Sequence, residues 1–477
     1  MNIIGIVLAA SVAIDFNAEI GKIRPELHSS GFGPMICSFP KESRDAIKEM
    51  GFKTARTHDW ALLNDNERVC DYFHIFPLMH LDAKDPKNYH FAPTDYLFER
   101  TRNELGLDIF FRLGTSIEHS GDKVHFNTLI PDDFDKVAEI FAGTVRHYNC
   151  GWADGRKWGI KYWEIWNEPD GHNNMWCLPD GDGGKGATEA ERAADFAVRE
   201  KKRLDLFAKF YVTCIKRLKS EFPDIKVGGP ALCYMNEHYF TTLFKACKEA
   251  GVAPDFISWH HYAKDPKIIM DAIAAGRRLC DSFGFTNCEL IINEWHFFGE
   301  YTWGELRSPD PNVRRRVWAG PAAHNGIDSS CFNLTMLAKF QTSKLDQAYY
   351  YGCRHVGSWG FMDENREKYK VFYGLKMFSN LIKPLPVICK SGVEGSDGVT
   401  VLAAKKEDGT RKGFLIVDYR AGEKEIVVDM KGAPDGEVKA WVHDFTRDYE
   451  QIPARIENGR LTLKKVDTNS AAFLVIL

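Results

Sequence analysis

Between Met35 and Leu381 short apolar runs alternate with amphipathic helical stretches, and they do so eight times. Strands separated by helices cannot pair as hairpins, so they line up in a parallel sheet, and eight of them close into a barrel. The runs are Met35–Ser38, Phe52–His58, Leu107–Leu113, Lys161–Glu168, Ile225–Pro230, Asp255–Tyr262, Glu289–Glu294 and His355–Trp359. Helices are predicted over Lys41–Met50 (closed by Gly51), Pro131–Tyr148, Glu189–Lys219, Glu237–Ala250, Pro266–Phe283, Leu334–Tyr351 and Phe372–Leu381. Residues 61–100 keep no clean period and read as a long loop and helix over one end. Residues 171–187, rich in Gly, Asp and Asn, read as a surface loop over the end of the fourth strand. An open doubly wound sheet is the alternative, but no Gly-rich phosphate loop follows the first strand.

From about Pro384 the texture changes to short strands between Gly, Asp and Asn turns: Val399–Ala404, Phe414–Val417, Glu425–Val428, Val438–Val442, Leu461–Leu463 and Ala472–Ile476. This reads as a β-sandwich. Val12–Phe16 has no place in the barrel and is expected to pair there. The fold class is thus α/β, a (β/α)8 TIM barrel with a C-terminal β-sandwich that includes the N-terminal strand. The divisions are 1–28 for strand and linker, 29–383 for the barrel and 384–477 for the sandwich, in keeping with a 477-residue chain too long for one core. The sandwich carries no motif with chemistry and is read as support for the barrel.

A net charge of −4 with acids and bases interspersed gives no basic surface for nucleic acid or lipid, and no stretch is apolar enough to span a membrane. Of twelve cysteines, Cys214, Cys247 and Cys280 fall in helical patterns and Cys353 near a strand. They read as small buried hydrophobes rather than disulfides, and none has zinc spacing, so neither a metal nor a cofactor is expected. Met1–Ala13 reads either as a secretion signal ending Ser11-Val12-Ala13 or as a strand leading into Ile14. The compartment, cytoplasmic or exported, stays open with it, as does homo-oligomer formation.

Two runs end alike. Lys161–Pro169 closes on Trp166-Asn167-Glu168-Pro169 and Glu289–His296 on Asn293-Glu294-Trp295-His296. Two carboxylates at strand ends, on strands that face each other only if the barrel closes, suggest the paired-carboxylate apparatus of glycoside cleavage. Trp163 and Trp166 are read as walls around Glu168 that raise its pKa. Trp163, Trp295 and Trp359 are read as sugar-stacking rings, and polar Glu118 follows the third strand.

These residues resemble a known group. Trp166–Pro169, the second Glu on strand seven and His260-His261-Tyr262 are similar to clan A, the retaining glycoside hydrolases on (β/α)8 barrels. Gly21–His28, Arg56-Thr57-His58, Val227–Pro230 and the terminal sandwich resemble glycoside hydrolase family 39, which holds β-xylosidases and α-L-iduronidases. The resemblance implies Glu168 as acid/base, Glu294 as nucleophile and Asn167 on the sugar 2-hydroxyl. It implies that Tyr262 orients the nucleophile beside His260, that Arg56 and His58 line the sugar-binding end, and that the partner is an oligosaccharide or glycoside. The sequence departs from the family at His58-Asp59-Trp60, commonly His-Gly-Leu in the xylosidases, and at Ser358-Trp359-Gly360-Phe361, usually Tyr-Trp-Thr-Phe. Arg56, Lys264 or Arg366 could then receive a uronate or sulfate. The expectation is a retaining exo-acting hydrolase; an endo-acting relative and a silent carbohydrate-binding protein are the rivals.

Overall fold

The computed structural model describes residues 10–32, 40–60, 68–116, 128–171, 175–181, 183–466 and 469–477. Strand β1 (Ala10–Lys22) is followed by a closed eight-stranded parallel barrel of β2 (Ser29–Phe32), β3 (Thr54–His58), β4 (Asp108–Leu113), β5 (Tyr162–Ile165), β6 (Lys226–Leu232), β7 (Phe256–Ala263), β8 (Glu289–Phe297) and β9 (Gln347–Tyr350). A small parallel pair, β10 (Arg354–Val356) and β11 (Gly360–Met362), follows. The chain ends in β12 (Val387–Glu394), β13 (Val399–Lys405), β14 (Lys412–Asp418), β15 (Glu425–Lys431), β16 (Gly436–His443), β17 (Glu450–Ile456), β18 (Arg460–Lys464) and β19 (Ala471–Ile476).

The helices between barrel strands start and stop for local reasons. Asp133, Thr188, Asn236 and Asp265 each accept a backbone N–H from the first turn, and Gly51, Gly106 and Gly151 end helices in the left-handed conformation. Their apolar faces close over the outer faces of the strands. Inside the bore, Phe110, Phe256, Ile291 and Tyr349 form a separate apolar plug. It seals one end, so polar residues one step further along the same strands must collect above it.

The expected barrel is present, with three corrections to its parts. Its first strand is Ser29–Phe32, ahead of the expected Met35–Ser38, which lies outside the described residues. The segment shows no apolar run because Gly31 must admit its neighbours: a Cβ there would sit 2.9 Å from the Asn293 carbonyl. The eighth strand is Gln347–Tyr350, not His355–Trp359, and the helix expected to run to Tyr351 is Ile327–Gln341. All four residues of β9 are buried, so no alternation separated them from a buried helix. The stretch 171–187 is not wholly superficial either. Met175–Leu178 is buried, and Trp176 packs edge-on against Trp166 (5.1 Å between centroids) and beside Phe210 (5.2 Å).

The second domain is a nine-stranded sheet in the order β17-β16-β19-β14-β13-β12-β1-β15-β18, curved around its own core of Val12, Ile14, Phe16, Phe414, Val428 and Phe473. This is consistent with the expected sandwich, and β1 joins it as anticipated, antiparallel to β12 and parallel to β15. The strands β12 and β17 were not anticipated; β17 carries Pro453, tolerated because the strand lies at the sheet's edge. The other face, with Leu402, Leu415 and Leu474, merges into the barrel core. Ser330 Oγ meets His443 Nε2 at 3.0 Å across that seam, and Arg420 Nε donates to Asp328 at 2.8 Å. The eleven described cysteines are free thiols. No helix of the described residues is long and apolar enough to cross a membrane.

Candidate active site

Above the plug, alternation along the strands turns Arg56, Glu164, Ser258 and Asn293 into the bore. Arg56 is fully buried and holds three partners. Its Nε donates to Glu164 at 2.6 Å, Nη1 to Glu294 at 2.9 Å and Nη2 to the Asn167 amide oxygen at 2.6 Å. The other Glu164 oxygen accepts from Ser258 Oγ and Asn293 Nδ2, both at 2.6 Å. The guanidinium is therefore a clamp below the site, with every direction used. Lys264 is paired with Glu300, and Arg366 reaches Glu42 at 4.0 Å. Of the three basic residues that could have received an anion, Arg56 is fully engaged in the clamp, and Lys264 and Arg366 are exposed beside surface carboxylates.

Backbone irregularities aim the two strand-end glutamates. In β8 the register against β7 shifts between Ile292 and Glu294, so that Trp259 faces Ile292 while His260 faces Glu294. This extra residue lets Asn293 and Glu294 both reach the bore, as a β-bulge does. At the end of β5, Trp166 and Glu168 have φ of 73° and 46°, left-handed values that cost non-glycine residues roughly 1–3 kcal/mol each. The turn is held by burial of Trp166 and by Glu168 N–H donating to the Ala231 carbonyl at 2.9 Å. Gly114 leaves room for the indole: a Cβ there would come 2.7 Å from the ring.

His260 connects the pair. Its Nδ1 lies 2.8 Å from Glu168 Oε1 and its Nε2 lies 3.4 Å from Glu294 Oε1. One imidazole between them holds the two oxygens within roughly 8 Å, inside the separations used by glycosidase carboxylates. Their surroundings differ. Glu294 accepts from Arg56 and, at 2.8 Å, from the Tyr262 hydroxyl, with His58 Nε2 at 3.6 Å. Glu168 has no Lys or Arg in contact among the described residues and keeps 23% of its side chain exposed, against 6% for Glu294. Burial pushes the Glu168 carboxyl up to about 7; the Cys233 thiol hydrogen bond and Arg56 oppose this, while Asp59 adds to it. Burial also raises Glu294, against the pull of His260 and Arg56. Burial lowers His260, against the pull of Glu294, and lowers His58 more strongly, so the charged form of both rings is disfavoured.

Asn167 Nδ2 and Asp59 Oδ1 are buried without a hydrogen-bond partner among the described residues. With the Asn167 oxygen taken by Arg56, its amide is oriented, and the NH2 faces the site as a donor. Tyr262, Tyr351 and Trp359 form the wall beyond Glu294, with Trp359 centroids 5.7 Å from Tyr262 and 5.0 Å from Tyr351.

Of the residues singled out from the sequence, Glu168, Glu294, Asn167, His58, Arg56, His260 and Tyr262 converge here, and Trp359 stands at the rim. Trp295 does not. It is fully buried on the outer side of β8 against Phe340 (5.3 Å) and Tyr350 (5.8 Å), because strand parity opposes it to Glu294. Trp163 is likewise core, stacked on Phe111 at 5.0 Å, and is neither a stacking ring nor a wall of Glu168. Glu118 lies outside the described residues. The sequence reading passed over Glu164, although it sits two residues from Tyr162 on the inward parity of β5.

Removing the clamp has a predictable cost. Arg56→Met leaves Glu164 and Glu294 buried without their cation, and breaking such a pair costs about 3–5 kcal/mol. Urea unfolding should show that loss; a change under about 0.5 kcal/mol would contradict the clamp.

Comparison with known proteins shows what the chain is similar to. The model of "Glycosyl hydrolases family 39" matches residues 190–283, a span that contains His260 and Tyr262. A β-xylosidase of Geobacillus stearothermophilus is 27% identical over 246 residues, 49% of this chain and 41% of that protein. One of Caldicellulosiruptor saccharolyticus is 28% identical over 237 residues, 47% and 39% respectively. The chain thus spans about two fifths of these relatives' length. In fold it is similar to a glucosidase from Croceicoccus marinus (19% identity, TM-score 0.72, covering 98% of this chain and 99% of that one). A family 39 β-xylosidase from Caulobacter crescentus is similar too (16% identity, TM-score 0.65, 98% and 99%). The resemblance to glycoside hydrolase family 39 carried by the sequence is thereby borne out in a matching segment and in β-xylosidase relatives, while the solved structures show the fold.

Proposed function

We propose that this chain is a retaining, exo-acting glycoside hydrolase with β-xylosidase-like chemistry, Glu168 serving as acid and base and Glu294 as nucleophile. The observation that carries the reading is one buried imidazole between two carboxylates in opposite surroundings. Burial disfavours the imidazolium, and an uncharged His260 has a single ring N–H to offer. With Glu168 protonated, the carboxylic acid donates to Nδ1 and the ring proton sits on Nε2, toward ionised Glu294. Glu294 attacks the anomeric carbon as Glu168 passes its proton to the departing oxygen, so the C–O bond breaks to a neutral leaving group and a glycosyl ester. The charge of Glu294 is then gone, and Arg56 remains matched by Glu164. Glu168, now a carboxylate, takes a proton from water, which attacks the same carbon and releases the sugar with its configuration retained. The Asn167 NH2 is placed to donate to the sugar 2-hydroxyl. The contiguous aromatic wall of Tyr262, Tyr351 and Trp359 favours a blind pocket, hence exo action. The named relatives favour a xyloside.

The test is a pH profile on an aryl β-xyloside, with glucosides and arabinosides in parallel. Glu168 must be protonated to act, so kcat/KM falls as pH rises through about 7. Glu294 must be ionised, so activity falls on the acid side too, at a higher pH than an exposed glutamate would set because burial raises that group. An alkaline limb that survives Glu168→Gln would sink the assignment, and no turnover of any aryl glycoside would sink the hydrolase reading.

A further inference from the structure

Beyond the aromatic wall stands a cation with no ion pair among the described residues. Trp303, in the short helix Trp303–Leu306, is 42% exposed and borders the site directly. Its ring meets Tyr262 edge-on at 5.4 Å and lies tilted to Trp359 at 6.0 Å. Tyr262 is the residue bonded to Glu294, so the exposed indole stands one ring away from the proposed nucleophile. The Arg307 guanidinium lies over the Trp303 ring, 5.7 Å from its centroid, and is solvent-exposed.

The carboxylates nearest to Arg307 in the chain are occupied elsewhere. Glu305 closes a capping box on Thr302, with Thr302 N–H donating to it at 2.8 Å, and pairs with Arg316 at 2.5 Å. Asp310 caps the helix Pro311–Ala319 by accepting from Asn312 N–H at 2.8 Å. Arg307 itself has no ion pair among the described residues, yet its charge reaches Glu168 and lowers that group. An exposed indole with a guanidinium on its face, one ring from the site at the rim beside Trp359, has the chemistry to hold a sugar by its apolar face and an anionic substituent by a paired hydrogen bond.

We propose that Trp303 and Arg307 form a leaving-group subsite for a uronic acid unit, the sugar released when the terminal residue is cleaved. This rests on the hydrolase reading above and names the far side of its substrate. A uronate carboxylate entering near Glu294 would be repelled without a cation, and Arg307 supplies one outside the clamp that consumes Arg56.

Two measurements on the full chain test it. The first is the ratio of kcat/KM for xylosyl-glucuronate over xylosyl-glucose. An exposed charged pair is worth up to about fivefold. The wild-type ratio should stand about that far above the ratio of Arg307→Gln, while Arg307→Lys keeps most of the difference and added salt erodes it. Comparing ratios between variants cancels leaving-group chemistry. The second is binding of free glucuronate and glucose, followed by the indole N–H NMR signal assigned to Trp303 with Trp303→Phe. Glucuronate should shift that signal more tightly than glucose, and Arg307→Gln should abolish the difference. Equal ratios in wild type and Arg307→Gln, or equal binding of the two sugars, would overturn the subsite. Selective binding of glucuronate without turnover of any glycoside would instead keep the subsite and remove the hydrolase.

Discussion

Glu294→Gln is expected to lower turnover of aryl glycosides by about 10⁴-fold or more while leaving the folded state intact. The loss is that large because the residue forms the bond, and removing a covalent nucleophile disables both halves of a double displacement. The fold survives because glutamine keeps the volume and an acceptor oxygen for Arg56, which donates to one carboxylate oxygen at 2.9 Å, while its NH2 can donate to the Tyr262 hydroxyl, which donates to the other at 2.8 Å in the native protein. The smaller Glu294→Ala opens the face below the sugar, so added azide should attack there and yield a glycosyl azide of inverted configuration. Turnover of Glu294→Gln within about tenfold of the wild type would remove the nucleophile assignment.

Glu168→Ala is expected to cost about 10²–10⁴-fold on substrates with poor leaving groups, and far less on a dinitrophenyl glycoside whose leaving group needs no proton. Deglycosylation then becomes slow for lack of a base, and azide, which needs none, should restore turnover and give a product of retained configuration. The opposite anomers from the two variants make the assignment of roles testable as well as the pair itself. If the retained azide came from Glu294→Ala, the roles would be exchanged. If azide rescued neither variant and good and poor leaving groups suffered alike, the double displacement would be wrong.

The ends of the strands were the legible part of the site. Glu168 and Glu294 stand out because each follows an Asn at the end of an apolar run, where alternation stops and a side chain can face a pocket. The middle of the strands was not legible. Glu164, Ser258 and Asn293 look like isolated polar residues in otherwise buried runs, and only barrel closure brings them to one guanidinium. For the same reason Arg56, read at the sugar-binding end, turns out to be a fully engaged support beneath the site. The bulge in β8 has no sequence signature, yet it decides that Glu294 opposes His260 while Trp295 turns outward into the core. The eight-unit count survived the misplacement of its first and eighth strands because each error was a local shift: the expected helix ran on through Gln347–Tyr350, and the strand was placed a few residues later, without a unit being gained or lost. Arg307 escaped notice because a four-residue helix carries no period to read.

Strand β1 lies between β12 and β15, with Ser11 opposite Glu394 and Ala10 beside Ile426. A ribosome makes β1 long before either neighbour, and at about 5–20 residues per second the wait is on the order of 20–80 s. Throughout that interval the emerging polypeptide carries a β-rich segment with both flanks unsatisfied, an open template for aggregation. The barrel can mature meanwhile, but closing the sheet joins portions lying on either side of the whole barrel in a single late docking event. Slow synthesis should therefore penalise the yield of this protein through β1 more than through any barrel strand.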